Sequence, residues 1–273
     1  MRIAPRNIRT KLEAGQRAFG STIQFPYPEI VEVVGYTGFD YAWLDAEHGT
    51  MDLSQIAELI RAADASRVDS IVRVPDHDTA FIGRVLDAGA TGIMVPHVDS
   101  VAVAESIVGA TKFSPLGTRG ACPSVRWLGH LTEDWSTDYR RADEDTLVFG
   151  LIEDIKGVED VEAIAQVPGL DGLVFGPFDL AMALGREGEI DHPDVIAMHD
   201  RVVNATKSAG IHYVAAAAAW EPGGNQGVID SNARVVNVTG DRGLLVMAHR
   251  HSLADIQKDL AENGPAPDYV PAI

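Results

Sequence analysis

Residues Phe39–Gly49 read FDYAWLDAEHG, an apolar and aromatic run that stops at three ionisable residues, Asp45, Glu47 and His48. Such a run suits a strand buried on both faces, and no packing rule places Asp, Glu and His just beyond it. In a barrel of alternating strands and helices the reacting groups sit at the C-terminal strand ends, so the stretch predicts a site as well as a strand. Asp45 and His48 are three apart, a spacing at which a carboxylate can hold an imidazole and raise its basicity, as a general base requires. Two readings of this short DxxH stay open: that pair, or an aspartate capping the next segment beside a solvated loop histidine.

Outward from this stretch the chain alternates apolar runs with helical periods. Ala18–Phe25, Phe39–Leu44, Ser70–Val74, Gly92–Val98, Leu147–Ile152, Asp171–Phe175, His212–Ala219 and Arg234–Val238 are predicted strands. Between them lie helical patterns over Glu29–Val34, Met51–Ala65, Thr79–Ala88, Val101–Ala110, Val158–Gln166, Pro193–Ser208 and Leu253–Ala261. The punctuation agrees with this reading: Pro28 opens the first, Asp52 or Ser54 the second, Asp78 the third, and Gly89 closes the third. Eight such units predict a single-domain (β/α)8 TIM barrel over residues 1–273. The competing doubly wound sheet calls for a GxGxxG loop after its first strand, and none follows Ala18–Phe25.

One interval breaks the rhythm. Residues 113–146 are rich in Gly, Pro, Trp and charge without a sustained period, which predicts a lid or a subunit-contact loop. Within it Arg119 or Arg126 is a candidate to meet an anionic substrate tail; pairing with surface carboxylates is the other reading. The Pro-rich tail, about 263–273, is expected to run over the surface or a neighbouring subunit.

Composition narrows the partners. Of 273 residues 22 are Lys or Arg and 40 are Asp or Glu, a formal net charge of −18 that opposes nucleic acid and anionic membrane surfaces. An anionic small substrate then needs a local cation, arginine or metal. No apolar run is long enough for a membrane span, no apolar core of a secretory signal precedes Ala18, and one cysteine allows no internal disulfide. The expectation is a cytoplasmic protein.

The predicted strand ends carry Asp45, Glu47 and His48, then Arg73, then Glu153, then Asp179. Two carboxylates from adjacent strands suit a hard divalent cation such as Mg2+ or Mn2+ and leave positions for water and a chelating substrate. Glu153 and Asp179 also read as helix-initiating caps. Arg73, in VRVP, is costly beside a buried strand without an anion.

LDAEHG, VRVP, LDAGATGIMVPHVDS, SPLGTRG, LIED and DGLVFGPFDLAMALG, in this order along nearly the whole chain, resemble the HpcH/HpaI aldolases. The resemblance implies a barrel of the phosphoenolpyruvate and pyruvate superfamily, usually a homohexamer. It implies a metal-dependent class II lyase that reversibly cleaves a 4-hydroxy-2-oxo acid to pyruvate and an aldehyde through a metal-stabilised enolate. It assigns Glu153 and Asp179 as ligands of Mg2+ or Mn2+, with Co2+ or Zn2+ as alternatives, and His48 with Asp45 as a catalytic dyad. By the same resemblance Arg73 looks like the group that contacts the pyruvate oxygen, Asp87 matches a position that helps organise the site, and Glu47 is expected to support the metal's water shell; Gly176, Pro177 and Arg119 are further substrate-binding candidates. The chain departs from the family pattern at Leu151, usually glutamine, and Ala181, usually serine, so the pocket is expected to lose two polar side chains. Lys112, Lys156 and Lys207 lie away from apolar strand ends, which disfavours a Schiff-base lysine. An oxaloacetate decarboxylase, a CoA-ester lyase using the same enolate chemistry, and a non-catalytic barrel that binds a 2-oxo acid are the alternatives.

Overall fold

A computed structural model describes residues 6–216 and 220–264. Its strands are β1 (Ala18–Ile23), β2 (Tyr41–Asp45), β3 (Asp69–Arg73), β4 (Gly92–Val95), β5 (Leu147–Ile152), β6 (Gly172–Phe175), β7 (His212–Ala215) and β8 (Val235–Gly240). Each pairs in parallel with the next and β8 closes on β1, so among the described residues the sheet is the expected closed (β/α)8 barrel. Around it run α1 (Asn7–Glu13), α2 (Pro28–Tyr36), α3 (Leu53–Ser66), α4 (Thr79–Asp87), α5 (Val101–Thr111), α6 (Trp135–Asp145), α7 (Ile155–Glu159), α8 (Val161–Ile164), α9 (Pro177–Ala183), α10 (Pro193–Ala209), α11 (Gly224–Asp230) and α12 (Asp241–Asn263).

Local chemistry accounts for the ends of α3 and α4. Asp52 accepts the Gln55 N–H while Gln55 answers on the Asp52 N–H, a capping box that starts α3 just past His48. Asp78 caps α4 through the Ala80 N–H, and Gly89, at φ +105°, ends it where a side chain would be strained.

Apolar side chains fill both layers. Inside the barrel, Tyr41, Trp43, Ile71, Met94, Phe149, Leu151, Val174 and Val235 pack together, and Ile8 of α1 plugs the N-terminal end. A side chain at Gly20 would land 2.2 Å from the Tyr41 ring, so glycine there lets Tyr41 reach across the interior. The second layer lies between the outer strand faces and the helices.

Three expectations are corrected. Residues 113–146 are not a bare loop, because they contain a 3-10 turn at Arg126–Leu128 and the helix α6. Helix α6 shows apolar residues only at Trp135, Tyr139 and Ala142, too few to declare a period, and it is held by an aromatic cluster of Phe113, Trp135 and Tyr139. Nor can this segment be a lid: it joins the C-terminus of α5 to the N-terminus of β5, at the end of the barrel opposite the strand C-termini. The helix expected at Val158–Gln166 is broken into α7 and α8, and the last helix starts at Asp241 rather than Leu253. Strand β7 ends at Ala215; the Ala217–Ala219 part of its predicted run, and residues 265–273 of the predicted tail, lie outside the described residues.

Candidate active site

The C-terminal mouth of the barrel opens into a cavity of about 700 Å³, lined by Asp45, His48, Arg73, Leu151, Glu153, Gly176, Pro177 and Asp179 among others. Residues predicted from four separate strand ends thus meet in one place.

Arg73 is the centre of the charge network. Its Nε and Nη2 donate to the two carboxylate oxygens of Asp45, at 2.9 and 2.7 Å, and its Nη1 lies 2.9 Å from Glu47 Oε2. Asp45 and Arg73 are direct register partners on β2 and β3, so the fork forms between neighbouring strands. Gln24, at the end of β1, adds an Nε2 hydrogen bond to Asp45 at 2.9 Å. Burial alone would push the Asp45 carboxyl up; Arg73, with help from Gln24 and the His48 N–H, outweighs it and holds the group below its usual range. Burial likewise opposes the Arg73 charge, and Asp45 and then Glu47 hold the guanidinium above its usual value.

This geometry corrects the expected dyad contact. Asp45 is fully buried and takes the backbone N–H groups of Glu47 and His48, both at 3.2 Å, rather than the His48 ring. The imidazole stands at the rim with 65% of its side chain exposed and its Nε2 4.0 Å from Glu47 Oε2. The arginine across the strand pair had the stronger claim on the carboxylate.

Glu153, at the end of β5, is buried and raised to about 7, first by burial and further by the charges of Glu47 and Asp179; the His97 N–H, 2.8 Å from its Oε1, pulls the other way. A Cβ at Gly176 would lie 2.5 Å from Glu153 Cβ, so glycine is what allows the first turn of α9, with Asp179, to stand beside that carboxylate. His97 is the residue that the sequence reading missed. It follows β4 at φ +53°, places Nδ1 3.0 Å from Asp154 and 3.5 Å from Glu153, and forms with Glu47 and Glu153 a group whose ligand atoms all lie within 4.8 Å of one another. The signal was there: GIMVPH is an apolar run ending in a histidine, the same pattern that singled out Asp45.

A divalent cation fits this donor set. Four carboxylates, Asp45, Glu47, Glu153 and Asp179, gather about the Arg73 guanidinium, with Arg242 also on the cavity wall, and the ligand atoms are oxygens with the His97 imidazole nearby, the preference of a hard ion. Among the described lining residues there is no lysine.

Other predicted residues are placed elsewhere. In this chain Asp87 and Arg119 do not reach the mouth: Asp87 ends α4 at the N-terminal rim, where Arg119 Nη2 binds its Oδ1 at 2.9 Å and the guanidinium lies over Phe113 and Trp127. Arg126 shares that rim, bound to Asp64 at 2.5 Å and to the Ala88 carbonyl at 2.9 Å. Leu151 does line the cavity, but Ala181 is fully buried on the inner face of α9, so the substitution there removes no polar group from the pocket wall.

A closed parallel barrel with carboxylates gathered around a buried arginine at the strand C-termini defines a (β/α)8 enzyme of the cation-assisted kind. The family follows from comparison: the chain belongs to the HpcH/HpaI aldolase/citrate lyase family, whose model matches residues 25–248. It is 32% identical over 208 residues to 5-keto-4-deoxy-D-glucarate aldolase of Escherichia coli (strain E24377A), spanning 76% of this chain and 80% of that protein. Among solved structures, it resembles the HpcH/HpaI aldolase of Desulfitobacterium hafniense DCB-2 with a TM-score of 0.86 at 28% identity, covering 96% of this chain and 98% of that one. The citrate synthase SbnG gives 0.84 at 29% identity, with 93% and 98% covered. The protein is therefore a carbon–carbon lyase with a pyruvate-type aldolase function, from a family that works with a divalent metal. No described helix is long and apolar enough to cross a membrane.

Proposed function

We propose that the chain takes pyruvate as its nucleophile and reversibly cleaves a 4-hydroxy-2-oxo acid to pyruvate and an aldehyde. The observation that carries this reading is the convergence of Glu153 and Asp179 with Arg73 and His48 on one lysine-free cavity. Glu153 and Asp179 are the residues that hold the cation, Mg2+ or Mn2+ by donor type, with Co2+ or Zn2+ as substitutes, and Glu47 supports its water shell. When bound, the ion supplies positive charge against the negative charge that builds on the 2-oxo oxygen as the C3–C4 bond breaks.

The chain's own groups do the rest. Arg73 has five N–H donors and spends two on Asp45, with Nη1 beside Glu47 as an ion pair, which leaves donors to share the oxyanion while the paired carboxylates fix the plane of the fork. His48, free at the rim, removes the 4-hydroxyl proton in cleavage and returns it in condensation. Gly176 and Pro177 shape the floor beside Glu153. Asp87 and Arg119 have no place in this chain's mouth and are assigned to the opposite rim.

The reading extends to a homohexamer of 29.3 kDa chains, which rests on the resemblance alone, and to a cytoplasmic location, which rests on the single cysteine. Similarity to a citrate synthase makes oxaloacetate the second substrate to test. Pyruvate, Mn2+ and a panel of aldehydes are expected to give 4-hydroxy-2-oxo acids, with activity lost on chelation and in His48→Ala. Full activity under a chelator, or oxaloacetate loss without any condensation, would overturn the proposal.

A further inference from the structure

The cavity at the barrel mouth has two unlike sides. Toward β8 and β1–β3 its wall carries Thr239, Gln24, Asp45, His48 and Arg73. Toward β5–β7, Glu153 and Asp179 are the only charged groups of the described lining, set among Leu151, Val174, Ala216, Phe178 and Trp220.

Phe178 and Trp220 stand edge to face, with ring centroids 6.1 Å apart at 87°, and each ring is half-exposed on the cavity wall. Both are held from behind. A Cβ at Gly188, where φ is +83°, would come 2.9 Å from the Phe178 ring, so the missing side chain there makes room for it. Trp220 precedes Glu221, which is buried, with His199 Nε2 and the Tyr213 hydroxyl each 2.9 Å from its Oε1. A buried carboxylate gripped by two groups fixes the chain beside the indole. Phe178 in turn precedes Asp179 in the first turn of α9, so the aromatic wall begins one residue from the carboxylate assigned to the cation.

We infer that the Phe178–Trp220 pair seats the substituent of the aldehyde, and that the preferred aldehyde carries an aromatic ring or a comparably flat apolar body. The inference rests on the aldolase reading above and names the substrate class for it. Covering two half-exposed rings with an apolar body removes apolar surface from water on both partners. A hydroxylated chain gains little on the same wall, because aliphatic groups and rings return few hydrogen bonds for the water it gives up. An acidic aldehyde finds no cation on this side of the cavity. Arg73 faces Asp45 and Glu47 across the mouth, and Arg242 lies over the Phe25 ring with its Nη1 3.3 Å from the His48 carbonyl oxygen.

Two measurements on the Mn2+-loaded protein separate this inference from the reading beneath it. Exchange of the pyruvate C3 protons in D2O, followed by NMR with no aldehyde present, reports the enolate chemistry. The kcat/KM for benzaldehyde, divided by that for the better of glyoxylate and glyceraldehyde, reports the seat. The expected wild-type ratio is about ten or more. Phe178→Ala and Trp220→Ala should each lower it by about fivefold through KM for benzaldehyde, whereas Trp220→Phe, which keeps a ring, should retain the preference. The wild-type ratio decides the matter even where an alanine variant does not fold. Proton exchange without a preference for benzaldehyde would overturn the inference and leave the aldolase reading standing; absence of exchange would remove both. A ratio that neither alanine variant moves would also overturn the inference.

Discussion

The two ends of the barrel use the same residue types to opposite purposes. At the N-terminal rim, each carboxylate meets arginine: Asp64 with Arg126, Asp87 with Arg119, and Asp145 with Arg6 and Arg141. At the C-terminal mouth, Arg73 is the guanidinium that faces Asp45, Glu47, Glu153 and Asp179. Balanced pairs hold loops in place. An unbalanced cluster of carboxylates on the wall of a cavity costs free energy that a cationic ligand, or a proton on Glu153, offsets, and that imbalance separates the working end from the supporting one.

Substitutions at the two ends should therefore fail in different ways. The largest effect on activity is expected at the mouth: Glu153→Gln should lower pyruvate condensation by about 10³-fold while leaving the fold intact, because it removes a charge and keeps the shape. Steady-state rates and a melting curve on the same sample check both parts. Next, Arg73→Met leaves Asp45 and Glu47 without their counter-charge. Activity should fall by about 10²-fold and stability by about 3–5 kcal/mol, the cost of breaking a buried pair, read by urea titration. At the other end, Arg126→Met should lower stability by about 1–3 kcal/mol through the ion pair lost to Asp64 and the hydrogen bond lost to the Ala88 carbonyl, with kcat within about twofold of wild type. If Arg126→Met instead abolished catalysis and left the melting curve alone, the division between the two ends would be wrong.

The smallest effect concerns pH. Burial at the N-terminal rim pushes the His212 imidazole below its ordinary value despite the pull of Asp171. The unfolded chain then binds more protons than the folded one as pH drops below about 6.5, so this group's contribution is present above that pH and lost on acidification. His212→Asn should flatten the dependence of stability on pH between about 6.5 and 5, seen as a smaller spread of urea midpoints.

How much of this was legible in the sequence follows from the range of each signal. Strand ends were readable because a buried run followed by charge is a local pattern, and it placed Asp45, Glu47, His48, Arg73, Glu153 and Asp179 in one mouth. The same rule would have delivered His97 had it been applied to β4. The partner of Asp45 was hidden because register between strands is not a spacing along the chain: His48 is three residues away, but Arg73 lies directly across the ladder. Helix α6 escaped because tertiary aromatic contacts, not amphipathic period, hold it. The start of α12 was missed for a related reason, since Leu244–Met247 shows no polar face from which to read a period. Arg119 was drawn toward the substrate by its charge alone, whereas the path of the chain from α5 to β5 carries it to the far rim.

Titration with Mn2+, followed by the enhancement of water proton relaxation and repeated with pyruvate, is the most direct measurement. We expect one ion per chain, a signal that pyruvate changes, and at least a hundredfold weaker binding in Asp179→Asn. A wild-type protein that binds no Mn2+, or a variant that binds it as tightly as the wild type, would contradict the assignment of the mouth as a cation site.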